Sequence, residues 1–264
     1  YEKLQNYIAG NKVYPMAIQL SDGSYKGILY DFTEENGAVT ITPRDYTTTS
    51  SYREPDVVTG YDNITTYLDQ INGILNTSYS SSDDFKNALQ IEFNEMVGKV
   101  NTNKGFWSGR YETSNMSNST TTTYDISNEI QVGVKKGTTN GINSVTWYRM
   151  YAQQEIYAKL ALTNSTSITS SMIWGSQWDQ IMIWMKDVKN TINTTNGQYY
   201  VTNAVGMGNY GTGDDDTNTS APVATGNREA YKVKNIYDLA GNVADWSLEA
   251  YNTDFRVLRR RLLR

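Results

Sequence analysis

Two carboxylates stand on either side of a glycine–asparagine turn in the run Asn235–Trp246, NIYDLAGNVADW. Asp238 precedes Gly241 and Asn242, and Asp245 follows them. Aspartates beside such a turn can accept backbone N–H groups locally. Carboxylates and turn carbonyls are also the hard oxygen ligands that Ca²⁺ prefers. The run therefore predicts either a locally hydrogen-bonded turn or a cation site.

The chain of 264 residues contains no cysteine and no histidine. Disulfides, thiolate nucleophiles, iron–sulfur clusters and zinc fingers are therefore excluded. A Ser-His-Asp triad and a three-histidine metal site are excluded for the same reason. An enzyme built from this sequence would have to use Asp, Glu, Lys, Tyr, Ser or Thr side chains.

Other acidic residues offer weaker candidates. Glu54-Pro55-Asp56 is similar to a sugar-binding tripeptide of C-type lectins, but no matching Trp-Asn-Asp exists, and the tripeptide is first a turn signal. The run 214–216 of three aspartates is typical of a solvated acidic loop. Glu112 and Glu155 could act as acid or base, yet the sequence pairs neither with a partner.

Apolar spacing predicts four helices, and aromatic content predicts several short strands. The helices cover 64–75, 82–100 with Ser82 as cap, 146–161 with Thr146 as cap, and a segment from Ser176 to Ile192 opened by a Ser176-x-x-Asp179 capping box. The strand candidates are 25–32, 38–42, 106–113 and 131–135. Residues 43–60, 114–128 and 202–229 are predicted loops.

The fourth helix carries an apolar stripe, which indicates burial in a core rather than a cofactor site. Its members are Trp178, Ile181, Met182, Met185, Val188 and Ile192.

The charge and apolar content of the chain limit the kinds of partner it can bind. The net charge is −5 and the isoelectric point is about 4.9, which argues against a nucleic-acid-binding surface. No stretch approaches the length of a membrane span, and no signal peptide is visible. Since the sequence begins at Tyr1, we expect that a leader or anchor has been removed.

Four blocks resemble, in order, the formylglycine-generating-enzyme (sulfatase-modifying factor) family, a variant of the C-type lectin fold. They are Gly105–Thr113 (GFWSGRYET), Ser144–Trp147 (SVTW), Trp174–Asp179 (WGSQWD) and Asp238–Trp246 with the Arg256–Arg259 segment after it. The resemblance implies an α+β fold with few regular strands, several helices and long loops. It divides the chain into a leading region, 1–104, similar to that of clostridial members, and a family domain, 105–264.

The family's enzymes use paired cysteines that bind copper, or three histidines that bind iron, so their catalysis is not implied here and no copper, iron or zinc is expected. The resemblance does imply one structural Ca²⁺ site. Its ligands would be the side chains of Asp238 and Asp245 and the carbonyls of Gly241 and Val243. The sequence departs from the family at Asp245, where Glu is usual, and at Ala244, where Trp is usual.

The end of the chain differs from the family's pattern. The family continues with Gly-Gly-Ser-Tyr-Gly, whereas this chain has Arg260–Arg264, RRLLR. Codons for that run, read one base later, encode Gly-Gly-Ser-Tyr, so we expect a frameshifted and truncated end. The alternative is a genuine basic tail that binds an acidic partner.

These observations favour a non-catalytic ligand-binding or display module at a bacterial surface or on a phage particle. The expected partner is a protein or a glycan, and we expect the loops at 114–128 and 202–229 to contact it. Related lectin-fold domains are diversified near their C-termini, where the Arg256–Arg259 segment lies. The alternatives are an enzyme using carboxylate, Tyr or Lys chemistry, and a degenerate structural product.

Overall fold

In the computed structural model of the chain, the described elements are seven short strands, two helices, three strands, two helices and four strands, in that order. The structure describes residues 2–4, 8–9, 12–36, 38–44, 54–55, 64–115, 132–134, 136–137, 146–161, 168–186, 209, 223–250 and 256–259. The fold is mixed α and β, which agrees with the α+β prediction at that level. The predicted tail 260–264 and most of the predicted loops lie outside the described residues.

The four helices form where the apolar spacing predicts them. They are α1 (Ile64–Leu75), α2 (Ser82–Asn103), α3 (Trp147–Ala161) and α4 (Gly175–Lys186). A short 3₁₀ turn covers Glu229–Tyr231.

The helix ends have local causes. Ser81, one residue before the predicted cap, accepts the backbone N–H of Asp84 at 3.1 Å and begins α2. Lys104, in the left-handed conformation, ends that helix. Thr146 caps α3 as predicted, because its hydroxyl accepts the N–H of Arg149 at 3.4 Å.

The predicted capping box of α4 is wrong. Its carboxylate, that of Asp179, turns away from the helix start and accepts the backbone N–H of Tyr30 at 2.8 Å. The N–H of Ser176 is taken instead by the carboxylate of Glu54, at 3.1 and 3.2 Å. A residue 122 positions away thus satisfies the helix N-terminus, which no local pattern could reveal.

Fourteen strands among the described residues form seven two-stranded antiparallel sheets. The pairs are β1 (Glu2–Leu4) with β8 (Phe106–Ser108), β2 (Ile8–Ala9) with β3 (Lys12–Val13), β4 (Ala17–Gln19) with β5 (Tyr25–Gly27), β6 (Tyr30–Glu35) with β7 (Ala38–Pro43), β9 (Thr113–Asn115) with β10 (Val132–Val134), β11 (Lys232–Val233) with β12 (Ile236–Tyr237), and β13 (Asp245–Ala250) with β14 (Arg256–Arg259). Isolated pairs are marginal in water, so these depend on the core beneath them.

The main core is aromatic and joins the predicted leading region to the rest of the chain. Phe93 of α2 meets Trp174 edge-on, with ring centroids 4.8 Å apart, and Trp147 stacks on Tyr151 at 5.5 Å. The indole N–H of Trp147 donates to the carbonyl of Ser247 at 2.8 Å and so fixes β13 to α3. The buried members are Met16, Leu68, Ile71, Phe85, Leu89, Phe93, Val97, Val100, Trp147, Tyr148, Tyr151, Met172, Trp174 and Leu248.

The apolar stripe of α4 is a core element, as predicted. Trp178, Ile181, Met182 and Met185 pack with residues of the β11–β12 hairpin in a second buried cluster. Val188 and Ile192, the remaining predicted members, lie outside the described residues. Because α4 packs on this hairpin, the turn that follows β12 lies against the core. This turn contains Asp238.

A buried ionic cluster lies at the start of α4. Its three carboxylates, from Glu54, Asp179 and Glu249, are each at most 1% exposed. The guanidinium of Arg259 pairs with two of them, reaching Asp179 Oδ1 from Nη1 at 3.3 Å and Glu249 Oε2 from Nη2. One cation on β14 thus ties α4 to β13, and Glu54 joins the cluster through the N–H of Ser176.

Glycine at two positions makes room for these carboxylates. A Cβ on Gly175 would overlap Glu249 Oε2 and lie 3.0 Å from Glu54 Oε2. A Cβ on Gly27 would meet the Glu54 carboxylate from the opposite side. The cluster is therefore enclosed by backbone, and both Glu54 and Glu249 crowd the same small space.

Burial, and then the charge of Glu249, raises the pKa of the Glu54 carboxyl to about 8, while the hydrogen bonds from Ser176 and the charge of Arg259 oppose this shift. Burial likewise raises the pKa of Asp179 and of Glu249, while Arg259 opposes both shifts. Glu54 is therefore largely protonated at neutral pH, which relieves its repulsion from Glu249.

We predict that the free energy of unfolding falls as pH rises from about 4.5 to about 8. An unfolded Glu54 ionises near pH 4.5, whereas the folded one keeps its proton to about 8, so the folded state binds the extra proton in this window. The slope from one such group is at most about 1.4 kcal/mol per pH unit. Urea unfolding between these pH values measures it.

Glu54→Gln should reduce the slope of that pH dependence, while Glu35→Gln, at an exposed glutamate on β6, should leave it unchanged. A wild-type curve that rises over this window, or an equal flattening by both variants, would contradict the assignment.

Candidate functional site

The Asp238–Asp245 run forms a compact turn between β12 and β13. Three of its residues, Asp238, Gly241 and Asn242, have positive φ angles of 59°, 85° and 59°. Positive φ angles are unusual for residues other than glycine, asparagine and aspartate. The tertiary contacts of this turn hold it in that conformation.

Asp238 is fully buried and anchors the residues that precede the 3₁₀ turn. Its Oδ2 accepts the Thr225 hydroxyl at 3.0 Å and the Gly226 backbone N–H at 2.7 Å. Its Oδ1 is buried and, among the residues that the structure describes, has no hydrogen-bond partner. The two partners of Oδ2 precede Asp238 by 13 and 12 residues, so this carboxylate is held by another segment of the chain and not by the predicted local bonds within the turn.

Asn242 is the centre of the turn's contacts with distant segments. Its side-chain amide donates to Glu112 Oε2 at 2.5 Å, and the Val243 N–H donates to Glu112 Oε1 at 3.3 Å. The backbone N–H of Asn242 donates to the carbonyl of Asn209 at 2.8 Å, and the Oδ1 of Asn242 accepts the N–H of Val223 at 2.8 Å.

Gly241 has no space for a side chain. A Cβ there would lie 2.8 to 3.0 Å from the backbone of Asn209, closer than real Cβ atoms approach. This contact, together with the positive φ, explains why glycine occupies the position.

Three carboxyl groups influence one another at the turn. Burial, and then the charge of Asp238, raises the pKa of Asp245, a half-buried residue, to about 7. Burial raises the pKa of Glu112 well above its usual value, with further contributions from Asp245 and Asp238, and burial also raises that of Asp238. Within the described part of the chain, no Lys or Arg pairs with any of the three.

The four predicted calcium ligands therefore sit in one turn, with Glu112 added beside them. In favour of a cation are the unpartnered Asp238 Oδ1 and the mutual repulsion of three acids. Against this, Glu112 uses both oxygens for hydrogen bonds, and among the described residues no three acidic side chains converge as metal ligands. Calcium at this turn stays a prediction.

The other acidic candidates are structural where they can be seen. Glu54 is buried in the Arg259 cluster, while Asp56 and residues 214–216 lie outside the described residues. Glu155 shares a hydrogen bond with Glu92, and Tyr151 donates its hydroxyl to Glu92 at 2.9 Å. The sequence pairs neither Glu112 nor Glu155 with a partner, because their hydrogen-bond partners, Asn242 and Glu92, stand far from them in sequence.

Sequence reasoning missed Asn209 and Thr225 as members of this site, and missed that Glu112 belongs to it. Both missed residues fall within the predicted loop 202–229, where nothing local marks them. Glu112 does stand in the Gly105–Thr113 block, so the order of the family-like blocks was the available signal.

Comparison of the chain with protein-family models, with curated proteins and with solved structures found no match. Among the described residues, none of the helices combines the length and the apolar character needed to cross a membrane.

Proposed function

We propose that the chain is a non-catalytic ligand-binding or display module on a C-type-lectin-like scaffold related to the formylglycine-generating-enzyme family. The observation that carries this proposal is the anchoring role of Asn242. Asn209 and Val223, which bound residues 210–222, both bond to this one asparagine, as does Glu112.

The stretch 116–131 is bounded in the same manner. Thr113–Asn115 and Val132–Val134 pair as β9 and β10, so the chain leaves and returns at one strand pair. Glu112, immediately before β9, bonds to the turn. The ends of both long polar segments are held by the scaffold. Such segments suit a ligand-binding surface, because their sequences can vary while the scaffold stays the same.

The family's copper and iron chemistry needs Cys or His, and the sequence contains neither. This supports binding rather than the family's oxidation chemistry. We place the module at a bacterial cell surface or on a phage particle, in keeping with the resemblance to clostridial members.

We predict saturable binding on glycan or protein arrays without turnover of the bound ligand. Asn242→Ala should weaken that binding, because it removes the side-chain bonds to Val223, the 3.3 Å bond from the Asn209 amide and the bond to Glu112, while the backbone bond to Asn209 remains. The matched control is Asn72→Ala, which removes an asparagine that also holds backbone, at Tyr79, but far from the turn. Equal binding by wild type and Asn242→Ala, or turnover of a bound compound, would contradict the proposal.

A carboxylate-based enzyme is the second candidate, favoured by the crowding of Glu54 and Glu249 beside Gly175. A pair of carboxyls with separated pKa values is the usual arrangement for acid–base catalysis. Both side chains are buried, however, and Glu54 is occupied by the N-terminus of α4. Turnover abolished by Glu54→Gln in a folded protein would establish this candidate.

We also propose that the turn binds one Ca²⁺, because a dication would offset the repulsion of Asp238, Asp245 and Glu112. We predict that Ca²⁺ raises the melting temperature and that it binds more tightly at pH 8 than at pH 6, because Asp245, with a pKa of about 7, must lose its proton. Calorimetry at the two pH values measures both the affinity and the protons released.

Asp245→Asn should abolish this calcium effect, whereas Asp22→Asn, at an exposed aspartate in the β4–β5 turn, should preserve it. A melting temperature that does not respond to millimolar Ca²⁺ would contradict the calcium proposal and leave the ligand-binding proposal standing.

A further inference from the structure

Three cationic side chains surround one tyrosine ring on the face formed by the β11–β12 hairpin. Lys136 Nζ and Lys232 Nζ lie 5.8 and 5.6 Å from the centroid of the Tyr237 ring, and Arg110 Cζ lies 6.0 Å from it. We call Arg110, Lys136, Lys232 and Tyr237 the basic patch. Such a concentration of positive charge is notable because the whole chain carries a net charge of −5.

The patch is built by segments that the functional turn already holds together. The Tyr237 N–H donates to the Arg110 carbonyl at 2.9 Å, and Arg110 Nη2 donates to Asn235 Oδ1 at 2.9 Å. The Gly137 N–H donates to the Thr225 carbonyl at 2.9 Å, which brings Lys136 to the same face. Because Asp238 binds Thr225 and directly follows Tyr237, the patch adjoins the turn.

Two stacked tyrosine rings, those of Tyr111 and Tyr237, form the base of the patch. Tyr111 stacks on Tyr237 with centroids 5.1 Å apart and an interplanar angle of 25°. A cation over the face of such a ring is attracted by the ring quadrupole. This attraction helps to hold cations near the ring although they repel one another.

Among the described residues, one carboxylate, that of Glu229, pairs with the cations of the patch. Glu229 accepts from Lys232 and from the Tyr237 hydroxyl, and lies 3.9 Å from Lys136 Nζ. One negative charge against three positive charges leaves an excess of two. The side chain of Lys136 is 56% exposed, so its ammonium can donate outward to a ligand.

We propose that the basic patch binds an anionic group, sulfate ester or carboxylate, of an acidic polysaccharide. This inference rests on the proposed ligand-binding function and names the chemistry of its ligand. An oxyanion can take charge-assisted hydrogen bonds from the ammonium of Lys136 and the guanidinium of Arg110, because these groups keep donors beyond their present contacts.

The small extent of the patch favours an acidic sugar over a nucleic acid. A duplex carries a phosphate charge about every 1.7 Å of its length, so binding it takes a long run of cations, whereas the patch offers three around one ring. An oligosaccharide with separated anionic groups can place one of them on the patch.

The test compares binding of the full chain to a sulfated polysaccharide (heparin), a carboxylated one (polygalacturonate), a neutral one (dextran) and a DNA duplex, at low salt. We expect saturable binding to heparin or polygalacturonate, and the stronger of the two identifies the anionic group. Lys136→Gln should weaken it about two- to fivefold, as expected for one exposed ion pair, and Lys136→Glu should weaken it more.

Lys99 supplies a closely matched control. It is an exposed lysine, 3.8 Å from one carboxylate, on α2 rather than in the patch. Lys99→Gln and Lys99→Glu should leave polysaccharide binding unchanged. An equal loss in the Lys99 and Lys136 variants would reveal general charge attraction and overturn the inference.

Two other results would also overturn it: no binding to either acidic polysaccharide, or DNA binding as tight as theirs. If array ligands still bind and Asn242→Ala weakens them while Lys136→Glu does not, the proposed function holds and only this inference fails.

Discussion

A guanidinium buried among three carboxylates is the constraint on which the other contacts depend. Charges removed from water are costly unless they are paired and hydrogen-bonded, and breaking one buried pair typically costs about 3–5 kcal/mol. Arg259 meets Asp179 of α4 and Glu249 of β13, and the protonated Glu54 fills the remaining space. The β13–β14 pair, α4 and the Glu54 segment therefore meet at this cluster.

Strand β13 connects the ionic cluster to the Asp238–Asp245 turn. Glu249 lies in the ionic cluster, and Asp245, four residues earlier on the same strand, lies in the acidic turn. Between them, the Ser247 carbonyl receives the Trp147 indole, and the Leu248 N–H donates to Ile173. The strand is thus fixed along its length, so the turn and the adjoining basic patch share one rigid support.

The sequence predicted the parts of this arrangement that are local. The apolar spacing of α1, the stripe of α4 and the Gly241–Asn242 turn follow from residues a few positions apart, and all three are present. Glu112 could not be assigned to the turn because its partners lie 130 residues away. Asp179 was misassigned as a cap because Ser176-x-x-Asp179 fits that pattern locally, while tertiary contacts with Tyr30 and Arg259 take its carboxylate elsewhere.

The most direct test of the central claim is the free energy of unfolding of Arg259→Met, measured by urea denaturation near pH 7. The account predicts a loss of about 3–5 kcal/mol, because Asp179 and Glu249 would remain buried without their cation. Adding Glu249→Gln to that variant should restore part of the loss, since one buried charge is then removed. A loss below about 1 kcal/mol for Arg259→Met, the value typical of an exposed ion pair, would contradict the account.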